Sequence, residues 1–170
     1  MTMERRASAL NELSAPLGAL IHTVNNALAI IATTTYALQL EQRLSDEDAD
    51  ALLSGIDTAR AAFSNFDPIV RSRTKVEVAV VGVPVTELSS TLSALTGRAI
   101  AVTWRDLPPP VTDLTGATRR LIAALWTAAD DLDATSLFAT ASVSSGCVRA
   151  SVQAADGRQW GPVDIGVAAA

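Results

Sequence analysis

Apolar residues near the start of the chain recur at the spacing of an α-helix. At about 100° per residue, they collect on one face of that helix. The face carries Leu17, Leu20, Ile21, Val24, Leu28, Ile31 and Leu38. The pattern predicts a helix over residues 7–43, or one that begins near Pro16, because proline is well accommodated in a first helical turn.

A second helix is predicted after the polar turn "LSDED". Ser45 stands at the N-cap position, and Asp48 follows at the third helical position, where a capping box has its reciprocal side chain. Apolar residues then recur at helical spacing, namely Leu52, Leu53, Ile56, Ala59, Phe63 and Phe66. Pro68 marks the end of this helix. We expect the two helices to form an antiparallel hairpin.

The pattern changes near Lys75 and becomes a mixture of strands and helices. The predicted elements are a strand with a turn over residues 76–85, a short helix over 86–97, a strand over 99–104, a helix over 117–133 and a β-hairpin over 136–157. In the longer helix, the side chains expected to face inward are Leu121, Ile122, Leu125 and Trp126. Ser145 and Gly146 are expected to form the turn of the β-hairpin. The predicted fold class is α+β, with a helical domain over residues 1–74 and a small α/β domain over residues 75–170.

Charge and cysteine content narrow the range of partners. A net charge of −5 and a pI of about 4.7 leave no basic face to neutralise a phosphate backbone, so nucleic acid is not an expected partner. Cys147 is the single cysteine and therefore forms no disulfide within the chain. It stands in an alternating, β-like run, which predicts a small buried residue.

Residues 13–40 contain no acidic or basic residue apart from one histidine, so a transmembrane span has to be weighed. His22, Asn25, Asn26 and Gln39 would all need polar partners in hydrocarbon, which favours a helix covered by protein and no membrane association. The first residues also lack the apolar core of a secretory signal. We therefore expect a cytoplasmic protein.

His22, the only histidine, lies with Asn26 on the face opposite the apolar stripe. Small residues surround them there, namely Ala15, Gly18, Ala19, Ala29 and Thr33, so a docking partner can reach the imidazole. Two helices cannot bury their apolar stripes alone, which predicts a symmetric homodimer built as a four-helix bundle. Two simpler interpretations remain: His22 as a tolerated surface residue, and Asn25 and Asn26 as hydrogen-bonding groups between helices.

The stretches "LIHTVNNALAII" and "LLSGIDTARAAFSNFDPIVRSR" resemble the dimerisation and histidine-phosphotransfer domain of bacterial sensor histidine kinases. The resemblance covers about residues 15–73 and is to the branch whose motif reads His, Asp, any residue, Asn, Asn, Leu, Leu. It implies that His22 is the phosphoacceptor and that Asn26 orients water or phosphoryl oxygens. Thr23 replaces the motif's acid, which argues against autokinase activity. In a competing register, "NELSAPLGAL" aligns with Asn11 in place of histidine, but only His22 leaves the usual helix length before the turn.

The second half resembles the ATP-binding domain of the same kinases in a degenerate form. "LIAALWTAADDLDA" aligns with the helix that carries the family's magnesium-chelating asparagine, and Thr127 stands in its place. Asp156 with Gly157, or "DIGVA" from Asp164, aligns with remnants of the adenine-binding glycine box, and no ATP lid follows. The resemblance therefore implies a small degenerate ATPase-like α/β sandwich without a cofactor of its own.

This combination is similar to the stand-alone histidine phosphotransferases of bacterial phosphorelays. It implies transfer of a phosphoryl group between receiver-domain aspartates through His22, with Mg²⁺ supplied by the receiver. The expected partners are a second copy of the chain, response-regulator receivers and a hybrid histidine kinase. The alternative is a non-catalytic dimeric scaffold that binds and regulates a histidine kinase or response regulator. Asp130, Asp131 and Asp133 are interpreted as a solvated helix end and not as a metal site.

Overall fold

The computed structural model describes residues 2–70, 85–106 and 109–169 and has an α+β fold. In chain order, the elements are α1 (Met3–Leu40), α2 (Asp46–Ser64), α3 (Asp67–Val70), α4 (Val85–Thr96), β1 (Ala101–Trp104), α5 (Leu114–Asp131), β2 (Ser136–Ser144), β3 (Cys147–Ala154) and β4 (Gln159–Val167). The strand predicted over residues 76–85 and the domain boundary predicted between residues 74 and 75 fall outside the described residues.

The first helix is one continuous element of 38 residues that passes through Pro16. It begins at Met3 and ends at Leu40, so the predicted bounds, residues 7–43, were shifted toward the C-terminus. The segment before Pro16 stays helical because Ala7 and Leu10 are buried in the same core as α5. Packing against α5 thus offsets the backbone hydrogen bond that a proline removes from a helix interior.

Helix α2 begins where the capping chemistry predicts. The Ser45 hydroxyl accepts a hydrogen bond of 3.1 Å from the backbone N–H of Asp48, which confirms the N-cap. Near the turn, Gln39 Nε2 donates to Asp46 Oδ1 at 2.8 Å. Helix α2 contacts α1, and Ile56 is one of its buried residues.

The four strands form one mixed sheet in the order β1-β2-β3-β4. Strand β1 is parallel to β2, and the other neighbouring pairs are antiparallel. Ser145 and Gly146, with φ of 52° and 76°, form the predicted turn between β2 and β3. Strand β4 was not predicted. It contains Gly161 and Pro162, and a Cβ at Gly161 would lie 2.9 Å from the carbonyl oxygen of Ala150 on β3.

Helix α5 provides most of the helical side of the core. The residues Leu121, Ile122 and Leu125 are fully buried, as predicted, whereas Trp126 is half-buried. Strand residues buried in the same cluster include Leu137, Val148, Val152 and Ile165. Cys147 is half-buried and not buried as predicted, because β3 points alternate residues away from α5.

Polar contacts also join α1 and α3 to α5. Arg119 of α5 donates from Nε to the carbonyl oxygen of Ile69 at 2.9 Å and from Nη1 to Asn11 Oδ1 at 3.1 Å. The Arg6 guanidinium lies 4.8 Å from the centre of the Trp126 ring. The first turns of α1 are therefore part of the core that the sheet and α5 build.

Candidate functional site

His22 and Asn26 lie one helical turn apart on the exposed surface of α1, as the sequence predicts. The Asn26 Nδ2 atom is 3.2 Å from His22 Nδ1, within hydrogen-bond distance. Among the described residues, no carboxylate contacts the imidazole. The structure therefore brings the two candidate site residues into direct contact and leaves the ring open to solvent.

Most of the small residues predicted around His22 do lie on an open surface. Ala15, Ala19, Ala29 and Thr33 are exposed. Gly18 is different, because a Cβ added there would lie 2.9 Å from Val70 Cγ1. Gly18 therefore permits the close approach of α3 to α1 and does not widen access to the imidazole.

Thr23 stands where the resembled motif has an acid. Its hydroxyl donates a hydrogen bond of 2.9 Å to the carbonyl oxygen of Ala19 in its own helix. A threonine bonded in this way has no negative charge with which to draw a proton from the ring. In the part of the chain that the structure describes, the site thus contains a nucleophile candidate and an amide but no carboxylate in contact with the ring.

A cleft of about 310 Å³ lies beside the site, between α1 and the segment from α2 to α3. It is lined by Ile21, Asn25, Arg60, Ser64 and Asp67. Arg60 is half-exposed and pairs with Asp57 on its own helix at 3.7 Å. Arg60 and Ser64 could not be predicted from the sequence, because only the packing of α2 on α1 places them near Asn25.

The apolar stripe of α1 is divided by the position of α2. Ile21 is buried, whereas Leu20 and Ile31 are 51% and 47% exposed, and Leu13 is 56% exposed. The large exposed apolar residues of the two helices are Leu13, Leu20, Ile30, Ile31, Tyr36, Leu40 and Leu52. One chain therefore buries only part of the predicted apolar face. We call Leu13, Leu20 and Ile31 the open stripe.

By length and composition, α1 is the one helix among the described residues that is apolar enough to cross a membrane. Only 6% of its most apolar window is buried within the chain. The open stripe lies on the side of α1 away from His22, because Leu20 and His22 are two residues apart and thus about 200° apart around the axis.

Thr127, which aligns with the magnesium-chelating asparagine, lies inside α5 and is 5% exposed. Its hydroxyl donates to the carbonyl oxygen of Ala123 at 2.8 Å. Asp164 lies in β4 and accepts from Arg149 Nε at 2.7 Å. These side chains are held by neighbouring protein groups.

Asp156 belongs to the turn between β3 and β4. The backbone N–H and the side chain of Arg158 both hydrogen-bond its carboxylate and hold the pKa of that carboxyl below its usual value. Asp156 therefore stabilises this turn, which is a structural role.

The aspartates at the end of α5 also have protein partners. Asp130 binds Arg6 and Arg98, Asp133 binds Arg98, and Asp131 accepts from Trp160 Nε1 at 2.9 Å. Across residues 2–70, 85–106 and 109–169, no group of three or more histidine, cysteine, aspartate or glutamate side chains is placed to hold a metal ion.

No protein-family model matches the sequence, and no curated protein matches it.

Proposed function

We propose that the protein is a histidine phosphotransferase of a bacterial two-component phosphorelay, with His22 as the phosphoacceptor. The observation that carries this proposal is the contact between the exposed imidazole and Asn26, on a face of α1 made mostly of small residues. A phosphoryl donor that is itself a protein domain needs such open access. The neutral imidazole is a competent nucleophile near neutral pH.

The reaction needs few groups from this chain. A lone pair of His22 attacks the phosphorus of a receiver's aspartyl phosphate, the bond from phosphorus to the aspartate oxygen breaks, and the carboxylate leaves with the electron pair. A second receiver aspartate then takes the phosphoryl group by attack on the phosphohistidine. The receivers supply Mg²⁺ and the acidic cluster that holds it. The absence of an acid at Thr23 fits a protein that transfers phosphate without making it from ATP.

We propose that a second copy of the chain covers the open stripe. Helices α1 and α2 would then form an antiparallel hairpin and pair into a four-helix bundle. Leu13, Leu20 and Ile31 are each about half exposed, so their burial in a dimer contributes about 1 kcal/mol per side chain. His22 lies on the other side of α1 and stays accessible.

A membrane would surround α1 on every side, whereas a dimer would cover only the open stripe. His22, Asn25, Asn26 and Thr33 are exposed on the side away from the open stripe, and a membrane-spanning α1 would place them in hydrocarbon. A dimer leaves them in water. These residues support a cytoplasmic protein without membrane association.

For the second half of the chain, we propose a degenerate ATPase-like domain that helps to hold the receiver beside the bundle. The buried hydroxyl of Thr127, bonded to Ala123, supports a domain without nucleotide chemistry. Because the first turns of α1 share its core, such a domain has a fixed position relative to His22.

The direct test is phosphoryl transfer from receivers of the host, each labelled with radioactive acetyl phosphate. The wild-type protein should acquire acid-labile phosphate from at least one receiver, and His22→Ala should acquire none. His22→Ala should keep its stability within about 0.5 kcal/mol, because an exposed imidazole contributes little to packing. Label on His22→Ala, or none on the wild type with any receiver, would contradict the transferase.

The same experiment distinguishes the transferase from the alternative function, a non-catalytic scaffold. A non-catalytic scaffold would bind a receiver or kinase with unchanged affinity in the His22→Ala variant and would carry no phosphate. Binding measured by calorimetry, beside the label, therefore distinguishes the two functions. Unlabelled protein that still binds one receiver would establish the scaffold.

A further inference from the structure

We propose that Asn26 selects the attacking nitrogen of His22: its Oδ1 accepts a hydrogen bond from Nδ1–H, so that Nε2 carries the free lone pair. This inference rests on the proposed transferase function and concerns the same site. It assigns Asn26 as a positioning residue that acts through the imidazole, in addition to any contact with phosphoryl oxygens.

The contact between Asn26 and the imidazole involves one of the two ring nitrogens. Asn26 Nδ2 lies 3.2 Å from Nδ1, the ring nitrogen next to the carbon that joins the imidazole to its Cβ. The opposite nitrogen, Nε2, has no hydrogen-bond partner among the described residues and belongs to an exposed side chain. The contact with the amide therefore occupies Nδ1 and leaves Nε2 for a receiver domain.

The position of the ring proton decides which nitrogen of His22 can attack phosphorus. A neutral imidazole has one N–H and one lone pair, and the hydrogen bond made by one nitrogen decides which of the two it carries. If Asn26 Nδ2 donates to Nδ1, the ring proton lies on Nε2 and neither nitrogen has a free lone pair. A half-turn of the carboxamide about its Cβ–Cγ bond exchanges Nδ2 for Oδ1. Nδ1 then donates, and Nε2 can attack.

The proton on Nδ1 also matters in the phosphorylated ring. When the Nε2 lone pair forms the bond to phosphorus, the ring becomes a cation that still carries the proton on Nδ1. Asn26 Nδ2 lies 3.2 Å from Nδ1, so after the half-turn of the carboxamide Oδ1 stands at that place and can accept the proton. Return of the phosphoryl group to a second aspartate leaves the neutral ring with its Nδ1–H. The same hydrogen bond thus serves both half-reactions, and no other co-reactant is needed.

The tautomer can be measured directly, because the chain contains one histidine. Long-range proton–nitrogen spectra of the unphosphorylated, ¹⁵N-labelled protein report which ring nitrogen carries hydrogen. Wild type should have a larger Nδ1–H fraction than Asn26→Ala. Asn26→Asp, whose carboxylate only accepts, should have the largest. Asn25→Ala is the matched control, since Asn25 lines the cleft toward α2, and it should equal wild type.

Two results would overturn the inference. One is an Nδ1–H fraction in wild type that is equal to or smaller than that of Asn26→Ala. The other is phosphate found on Nδ1 by isomer-selective phosphohistidine antibodies. Transfer by Asn26→Ala should be about fivefold slower than wild type, as expected for the loss of one hydrogen bond, and Asn26→Asp should recover most of it.

The two proposals fail in different ways. If no receiver labels the wild type, the transferase proposal fails, and the spectra of the free protein still decide the role of Asn26. If label appears on Nδ1, the transferase stands and the selection of Nε2 by Asn26 is wrong.

Discussion

Arg6 on α1 donates a hydrogen bond of 2.5 Å from Nη2 to Oδ2 of Asp130 on α5. The arginine side chain is 7% exposed, whereas the aspartate is 42% exposed. Arg6 Nε and Nη1 are buried and have no hydrogen-bond partner among the described residues, and the guanidinium lies over Trp126. Asp130 also binds Arg98. The buried Arg6 guanidinium therefore relies on Asp130 for its counter-charge, whereas the Asp130 carboxylate also has water and Arg98.

This inequality predicts different costs for the two halves of the pair. Asp130→Ala leaves a buried guanidinium without its counter-charge and should lower the free energy of unfolding by about 3 kcal/mol. Arg6→Met removes the cation and keeps an unbranched apolar side chain over Trp126, so we expect a loss of about 1 kcal/mol. Urea unfolding measures both. A larger loss for Arg6→Met than for Asp130→Ala would show that the guanidinium does not rely on Asp130.

The open stripe predicts a homodimer that a single charge dissociates. Leu20→Glu places a carboxylate in the proposed interface, and we expect a folded monomer by sedimentation at micromolar concentration. Thr33→Glu is the matched control, because Thr33 is exposed on the His22 side, and it should remain a dimer. Leu28 is half-buried on the side of Ile21, so Leu28→Glu should also unfold the helices. A wild-type monomer, or a dimeric Leu20→Glu, would place the interface elsewhere.

Thr127 predicts that the protein does not bind Mg-ATP at micromolar concentration. The hydroxyl is buried and hydrogen-bonded within α5, so restoring the aligned asparagine should not create a site. Thr127→Asn should instead destabilise the core by about 1–3 kcal/mol, because a larger amide must be buried there. Calorimetry with Mg-ATP and thermal unfolding measure the two effects. Micromolar affinity in either protein would restore a nucleotide function to this domain.

Local chemistry explains which elements could be predicted. Ser45 caps α2 because its hydroxyl reaches a nearby backbone N–H, and Ser145 and Gly146 form a turn because both adopt positive φ. The N-cap and the turn each depend only on residues that are close in the sequence. Strand β4 escaped prediction because Gly161 and Pro162 interrupt its alternation, and its pairing with β3 is what makes it a strand.

The candidate site shows the same division between local and distant determinants. The contact of His22 with Asn26 follows from helical spacing alone and was predictable. Ile21 is buried whereas its neighbour Leu20 is exposed, because of where α2 packs on α1. The sequence of α1 alone does not show that position. The burial of Arg6 depends on Asp130, which is 124 residues away in sequence. A charged residue in a first helical turn carries no sign of such a partner.

The continuity of α1 fixes the direction of the His22 imidazole relative to the core formed by α5 and the sheet. Leu10 is fixed in the core with α5, and the helix rises about 18 Å from there to His22, at about 1.5 Å per residue. Each residue of a helix also adds a rotation about its axis. A residue added or removed between Leu10 and His22 would therefore turn the imidazole by about 100°. The number of residues between Leu10 and His22 thus sets both the distance and the direction of the imidazole. Under the proposed function, a receiver that contacts both the four-stranded sheet and His22 must match one distance and one rotation.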